Sequence, residues 1–352
     1  MVAPLQMLPD TIAGMLPFGG LAADVVGALI ATFLVANFLL INTAVAGPWA
    51  KRKITAAFTD RISVNRVGPA GILTIVVDAV RLLSKELVIP EGVDRPAYDI
   101  GPLFIPFSAM LGFAVIPMGS GIQVADPEIG IAFAFAASSI ASIGLIMMGY
   151  ASNNKYSLIG GLRAVASNIA YEIPLVITGV SVVLLAGSLQ TSEIVAQQTQ
   201  ALVTVAGVTI PQWFAFVNPL AFALFLVANV AEVGRNPFDV PEAPTEIVAG
   251  YQTEYSSVYF VLIYLGEFIH IFLGGALTAT LFLGGPAGPG PAILGIVWFT
   301  AKIWAFYVFT QWLRAAVPRL RVDQFIEVGW KGMLVLSFAN LVLTAVIVGV
   351  LA

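Results

Sequence analysis

Glu232, Asp239, Glu242, Glu246 and Glu254 all fall within residues 231–257, AEVGRNPFDVPEAPTEIVAGYQTEYSS, in a chain of 352 residues of which only 10% are charged. Uncharged apolar runs flank this stretch, and a single cation, Arg235, lies within it. Carboxylates brought together near low-dielectric protein raise one another's proton affinity, which makes them candidates for proton exchange near neutral pH. Arg235 supplies a fixed planar cation for a polar headgroup or for Asp239. The competing reading is a solvated acidic loop between two apolar segments.

A second set of ionisable groups lies inside or at the edge of the apolar runs themselves: Asp24, Glu172, Glu232, Glu267, His270 and Lys302. An ionised side chain in hydrocarbon costs roughly 2.5–3.5 kcal/mol on insertion scales, so each needs a reason to be there. Glu267 and His270 are three residues apart and share a helical face. Together these groups suggest a polar, hydrated route inside a helix bundle; the alternative is local pairing, such as a buried Glu267–Lys302 ion pair. Other chemistry is excluded. With no cysteine and one histidine, the chain cannot build a cysteine-ligated iron–sulfur cluster, a zinc site of the usual ligands or a bis-histidine haem. It shows no phosphate-cradling glycine loop and no Ser–His–Asp set. No metal ligand, catalytic residue or nucleic-acid partner is expected, and nothing in the chain can carry electrons.

The elements that must position these groups are membrane helices. Hydrophobic residues make up 59% of the chain and fall in runs of about 20, the length that crosses a ~30 Å hydrocarbon layer as a helix. The expected fold is all-α and polytopic, a single membrane domain over 1–352 with eight spans at 22–47, 102–121, 129–150, 165–187, 212–233, 256–283, 292–314 and 331–351. Assigning alternate connections to one side places 15 of the 16 Lys and Arg residues there, Lys302 being the exception inside a span. By the positive-inside rule that side is cytoplasmic and both termini face outward. The N-terminus lacks a basic n-region and contains Asp10, unlike a cleaved signal peptide. The structured cytoplasmic connections are 48–101, 151–164, 234–255 and 315–330. In the first, residues 69–88 open on Pro69 and carry Asp78, Arg81 and Lys85 on one stripe, with Leu73, Val76, Val80, Leu83 and Leu87 elsewhere. That pattern predicts an amphipathic helix at the membrane interface or an ordinary helix packed on its neighbours. In the third, Pro237, Pro241 and Pro244 prevent a continuous helix, and a short helix can restart at Pro244 with Glu246 near its N-terminus. No internal repeat is visible, which counts against a stand-alone transporter.

Four blocks carry a resemblance. NRVGPAGILTIVVDAVRLLSKELVIP at 65–90, ASNNKYSLIGGLRAVASNIAYEIP at 151–174, AEVGRNPFDVPEAPTEIVAGYQTEYS at 231–256 and WLRAAVPRLRVDQFIEVGWK at 312–331 closely resemble the H subunit of proton-pumping NADH:quinone oxidoreductase, respiratory complex I. The blocks stand in the same order and the likeness covers nearly the whole chain. It implies a multi-pass subunit of a prokaryotic cell membrane that anchors the peripheral arm, forms the quinone access chamber and starts the proton path to the antiporter-like subunits. It also implies quinone as substrate, iron–sulfur and quinone-site subunits as partners alongside other membrane-arm subunits and lipid, and no cofactor bound by this chain, the clusters belonging to partners. By motif position Glu172, Glu232, Glu242, Glu246, Glu254, Glu267 and Lys302 belong to the proton path, and Arg235, Phe238 and Asp239 to the quinone chamber. Arg61, Arg66, Lys155 and Arg163, on the cytoplasmic connections, are assigned to peripheral-arm docking.

This chain departs from that pattern at Lys51-Arg52-Lys53, where the family commonly has Glu-Arg-Lys, and at Gly234-Arg235, where it has Asn-Arg. Pro244 stands where an acid is common and Gln252 where a histidine is. The loop therefore has fewer titratable groups than its relatives, and the electron donor is open. Two other functions compete: the membrane anchor of a related nickel–iron hydrogenase and an independent ion or solute transporter. The completeness of the Arg235-to-Asp239 block favours the quinone enzyme.

Overall fold

The computed structural model describes residues 8–16, 21–119, 121–205, 208–235, 237–239, 244–289, 291 and 294–351. Among them the elements run α1 (Leu8–Ala13), α2 (Leu21–Leu40), α3 (Gly47–Phe58), α4 (Leu73–Leu83), α5 (Arg95–Phe113), α6 (Gly130–Ala151), α7 (Lys155–Ala186) and α8 (Thr191–Gln198). A hairpin of β1 (Ala201–Val205) and β2 (Val208–Pro211) follows. The chain continues through α9 (Phe214–Val217), α10 (Pro219–Glu232), α11 (Pro244–Ile247), α12 (Ser257–Phe282), α13 (Gly295–Ala316), α14 (Val322–Glu327) and α15 (Leu334–Leu351). The architecture is helical as expected, and the antiparallel hairpin, with Val205 paired to Val208, is the departure from an all-α chain.

Among the described residues five helical runs are long and apolar enough to cross a membrane: Leu21–Phe58, Gly130–Ala151, Lys155–Ala186, Ser257–Phe282 and Val322–Val350. α5, α10 and α13 occupy the remaining three of the eight expected places. α5 carries Pro102 and Pro106. The fifth place is broken: Asn218 leaves helical geometry between α9 and α10, its side chain caps Ala221 N–H, and only the 14 residues of α10 are continuous.

Three expected boundaries move for a physical reason. The first span does not stop at 47; a π-helical stretch, Ile41–Ala46, joins α2 to α3 so that helix runs to Phe58. The connection at 151–164 shrinks to a turn, because Asn154 accepts the Tyr156 N–H as an N-cap and α7 starts at Lys155. At 1.5 Å per residue the 32 residues of α7 extend ~48 Å, well beyond the ~30 Å apolar layer. The amphipathic helix is shorter than 69–88. Pro69 opens a 3₁₀ turn containing Ala70 at φ 53°, and the α-helix begins at Leu73. Within the chain only Ile75 of α4 is buried, and Leu73, Val76, Val80 and Leu83 are exposed. α4 therefore keeps an apolar face turned away from this bundle, toward lipid or a neighbour.

The bundle is organised around α12, whose second half is buried on all sides. α12 packs on α5 and α13, α6 on α5 and α7, and α7 on α10 and α15. Buried polar contacts hold this register in an apolar setting. Asn229 of α10 donates to the Gly274 carbonyl at 2.8 Å and to Thr278 of α12, and a Cβ on Gly274 would stand 2.1 Å from the Asn229 amide oxygen. Such close approach of small residues is the usual basis of helix association in lipid.

Candidate functional site

Glu172 sits midway along α7, Glu232 ends α10, and Glu267 and His270 project from one face of α12. These four groups and Arg235 line a single cavity of about 80 Å³ together with Ser138, Ser139, Asn168 and Tyr251. Gly234, at φ 65°, ends α10 in the left-handed region and turns the chain back;. Arg235 is thereby folded under the helix end, 3% exposed, and its Nη2 donates to Glu267 Oε2 at 3.2 Å. On the other oxygen of Glu267, Tyr251 Oη donates at 3.1 Å and Gln252 Nε2 at 2.9 Å. The Arg235 guanidinium also lies 5.6 Å from the Phe268 ring centre, and Lys51 Nζ 5.4 Å from the same ring;. His270 Nε2 is 3.0 Å from Ser108 Oγ, and Ser139 donates to Glu172 Oε1. The site thus joins carboxylates on three helices to one fixed guanidinium, in space large enough for a few waters. Clustered carboxylates in such a setting are groups that can hold and exchange protons.

Glu246 and Glu254 have their partners elsewhere. Glu246 is held between two arginines, Arg163 Nη1 at 2.6 Å and Arg319 Nη2 at 2.8 Å, a tie between α7 and the segment before α14. Glu254 accepts from Asn154, and its carbonyl accepts from Tyr98 Oη at 2.7 Å. Tyr255 stacks on Tyr98 with ring centres 4.3 Å apart, and burial pushes the Tyr255 phenol up. Asp239 is half-buried, and Arg235, expected to face Asp239 or a headgroup, makes an ion pair with Glu267. Glu242 lies outside the described residues. The helical restart at Pro244 is a single turn, Pro244–Ile247.

Two further residues have their surroundings set by the fold. Phe238 is 8% exposed and packs on Tyr171 and Phe325 at 5.5 and 5.2 Å between ring centres, within the buried apolar cluster. Lys302 does not pair with Glu267. Its ammonium donates to the carbonyls of Leu283, Gly285 and Ala287 at 2.6–2.7 Å, capping the end of α12 far along the helix from Glu267. Of the four cations expected to dock the peripheral arm, Arg61, Arg66 and Lys155 are exposed, whereas Arg163 pairs with Glu246.

A larger cavity, about 540 Å³, lies where the π stretch and α3 meet α4 and α12. Pro48, Ile75, Leu82, Val261 and Leu265 make its walls apolar, and Arg52 pairs with Asp78 at its rim at 2.6 Å. Phe268 and Tyr264 border it, and their neighbours Glu267 and His270 line the smaller cavity, so the two cavities meet α12 along the same stretch. Size and composition are those of a small-molecule site.

Sequence reasoning missed Ser138, Ser139, Tyr251, Gln252 and Lys51. The only available signal was polarity inside an apolar run, as in AASSIAS at 136–142, which spacing alone cannot tell from helix-packing serines.

The chain matches the family model described as NADH dehydrogenase over residues 30–345. It is 43% identical over 297 residues to the H subunit of NADH-quinone oxidoreductase from Dehalococcoides mccartyi, covering 84% of this chain and 80% of that one. The counterpart from Thermomicrobium roseum is 41% identical over 332 residues, 91% of this chain and 96% of its own. That of Geobacillus kaustophilus is 42% identical over 325 residues, 90% and 94%. A match spanning nearly all of both chains, through every helix that builds the two cavities, makes this chain a member of the NADH dehydrogenase family to which those three proteins belong.

Proposed function

We propose that this chain is the membrane subunit through which a complex I-type enzyme couples quinone reduction to proton movement. Eight helices span a prokaryotic cell membrane with both termini outward, and the basic connections face the cytoplasm. There Arg61, Arg66 and Lys155 meet the iron–sulfur and quinone-site subunits of the peripheral arm. The observation that carries the reading is the adjacency of two cavities on α12, one apolar and quinone-sized, the other lined by Glu172, Glu232, Arg235, Glu267 and His270. The apolar cavity, walled by α4 and α12, serves quinone access from the bilayer. Quinone, as substrate, takes up electrons delivered by partner subunits. This chain's residues respond electrostatically. A negative charge arising beside Lys51, Arg52 and Phe268 weakens the hold of Arg235 on Glu267, and Glu267 then changes its demand for a proton.

From Glu267 the polar cavity leads to Glu232 and Glu172, on the way to the other membrane-arm subunits. Glu246 and Glu254 serve as ties that hold the loop against α7 and α5, and Lys302 as a fixed cap. The test uses the purified complex in liposomes. Glu267→Gln and Glu232→Gln should leave this chain assembled and electron transfer to a soluble artificial acceptor intact, while quinone-coupled proton pumping falls at least ~100-fold, the lower end of the range for loss of a general acid–base group. Normal pumping in both variants would remove the cavity from the proton path.

A further inference from the structure

The apolar cavity owes one wall to an irregular helical turn. Thr43, Ala44, Pro48 and Arg52 line it from the first span, where the π-helical stretch Ile41–Ala46 runs into α3. Gly47 N–H donates to the Asn42 carbonyl five residues back, the π spacing;. Pro48 explains why the turn widens here. It has no N–H to donate, and in an α-helix its ring would crowd the Ala44 carbonyl four residues earlier. One extra residue in a turn rotates everything after it by roughly 100°. The stretch therefore decides which residues of α3 face the cavity.

Two side chains of α13 bond to this stretch. Trp304 Nε1 donates to Asn42 Oδ1 at 3.2 Å, and Tyr307 Oη donates to the Gly47 carbonyl. Asn42 is tied at both ends of its amide, because its Nδ2 donates to the Phe38 carbonyl at 2.9 Å. Phe272 of α12 stands edge-on to Trp304 with ring centres 5.4 Å apart, and 5.1 Å from Tyr307, which keeps both donors in place. Gly47 fits tightly here: a Cβ on it would lie 3.1 Å from the Phe268 ring and 3.3 Å from Phe272. A hydrogen bond across five residues stacks Asn42 and Gly47 on one side of the helix, where α13 meets both. The regular α spacing would rotate one away from the other, and in hydrocarbon no water replaces the lost partner.

We propose that Trp304 and Tyr307 latch the π stretch through Asn42 and Gly47, and thereby hold Thr43, Ala44, Pro48 and Arg52 on the cavity wall as positioning residues for quinone entry. Relaxation to a regular helix turns α3 by ~100° against α2 and takes part of that wall out of the cavity. The latch itself lies on the α13 side of the first span, so it sets the bore without lining it.

This inference rests on the apolar cavity being the quinone route, and its test separates the two. Four variants are compared in the intact complex in liposomes: Trp304→Phe, which loses only the N–H, Asn42→Leu, the two combined, and Val261→Trp, which fills the cavity from α12. KM and kcat for quinone are measured, with electron transfer to a soluble artificial acceptor as the gauge of assembly. Trp304→Phe should raise KM about threefold, and Asn42→Leu, which also frees the Phe38 carbonyl, about tenfold, as the open turn becomes less populated. The loss should fall on KM rather than kcat. The double variant should match Asn42→Leu alone, since both changes remove the same bond. Val261→Trp should raise KM as well. If it does while Trp304→Phe and Asn42→Leu leave KM unchanged, the latch is overturned and the route stands. A lower kcat at unchanged KM, or additive effects in the double variant, overturns the latch too. Unchanged KM in Val261→Trp overturns the route, and the latch as a device for quinone entry falls with it.

Discussion

Replacing Arg235 by methionine tests the centre of the site. The guanidinium and the Glu267 carboxylate are 3.2 Å apart, with side chains 4% and 12% exposed. Their attraction is about 5 kcal/mol at an effective dielectric near 20, an upper figure because one side of Glu267 meets the cavity. Methionine fills similar volume but leaves the carboxylate without its cation, and breaking a buried pair in this way costs about 3–5 kcal/mol. Glu267→Gln in the same chain removes the stranded charge while keeping an acceptor for Tyr251 and Gln252. At ~2 °C per kcal/mol for a large chain, Arg235→Met should lower the thermal midpoint of the detergent-purified complex by about 6–10 °C. The double variant should recover roughly half of that loss, a coupling of ~2–3 kcal/mol, and still fail to reduce quinone at the parental rate. Additive losses, with the double variant less stable than Arg235→Met, would refute the pairing and the mechanism built on it.

The remaining predictions use the same complex. Glu246→Gln should change stability by no more than ~1–2 kcal/mol, since its two arginine bridges are partly exposed;, and should leave the number of protons pumped per electron unchanged; a lower ratio would return Glu246 to the proton path. Lys302→Met removes three hydrogen bonds to backbone carbonyls and should cost ~2–4 kcal/mol by thermal unfolding, again with an unaltered pumping ratio. Because the chain has no cysteine, single cysteines report sidedness directly. Thr199→Cys should react with an impermeant thiol label from outside intact cells and Ser84→Cys should not, and the reverse pattern would invert the topology. Ile75→Asp, at the one buried position of α4, should detach α4 from α12 and reduce quinone turnover while electron transfer to a soluble acceptor continues.

Much of this protein is settled by its residues taken in order. Apolar runs of span length, the crowding of basic residues on alternate connections and the blocks at 65–90, 151–174, 231–256 and 312–331 are local properties. Hydrocarbon imposes the apolar runs on each segment whatever its neighbours are, because every backbone polar group must be satisfied within its own helix. The membrane carboxylates were legible for the same reason: Glu172, Glu232 and Glu267 stand out because burying them is costly, and the structure does bring them to one cavity.

Partnership was decided only by the fold. Arg235 pairs with Glu267 at a separation of 32 in sequence, where Gly234 turns the chain at the end of α10. Glu246 finds Arg163 and Arg319, and Glu254 finds Asn154 at a separation of 100, so acids that crowd in sequence are parted in space. Lys302, equally buried in an apolar run, goes to the carbonyls at the end of α12 because α13 packs antiparallel beside it and presents the lysine there. Which helix lies next to which is set by small-residue contacts such as Gly274 against Asn229. Those contacts join residues far apart in the chain, and no periodicity along the sequence records them.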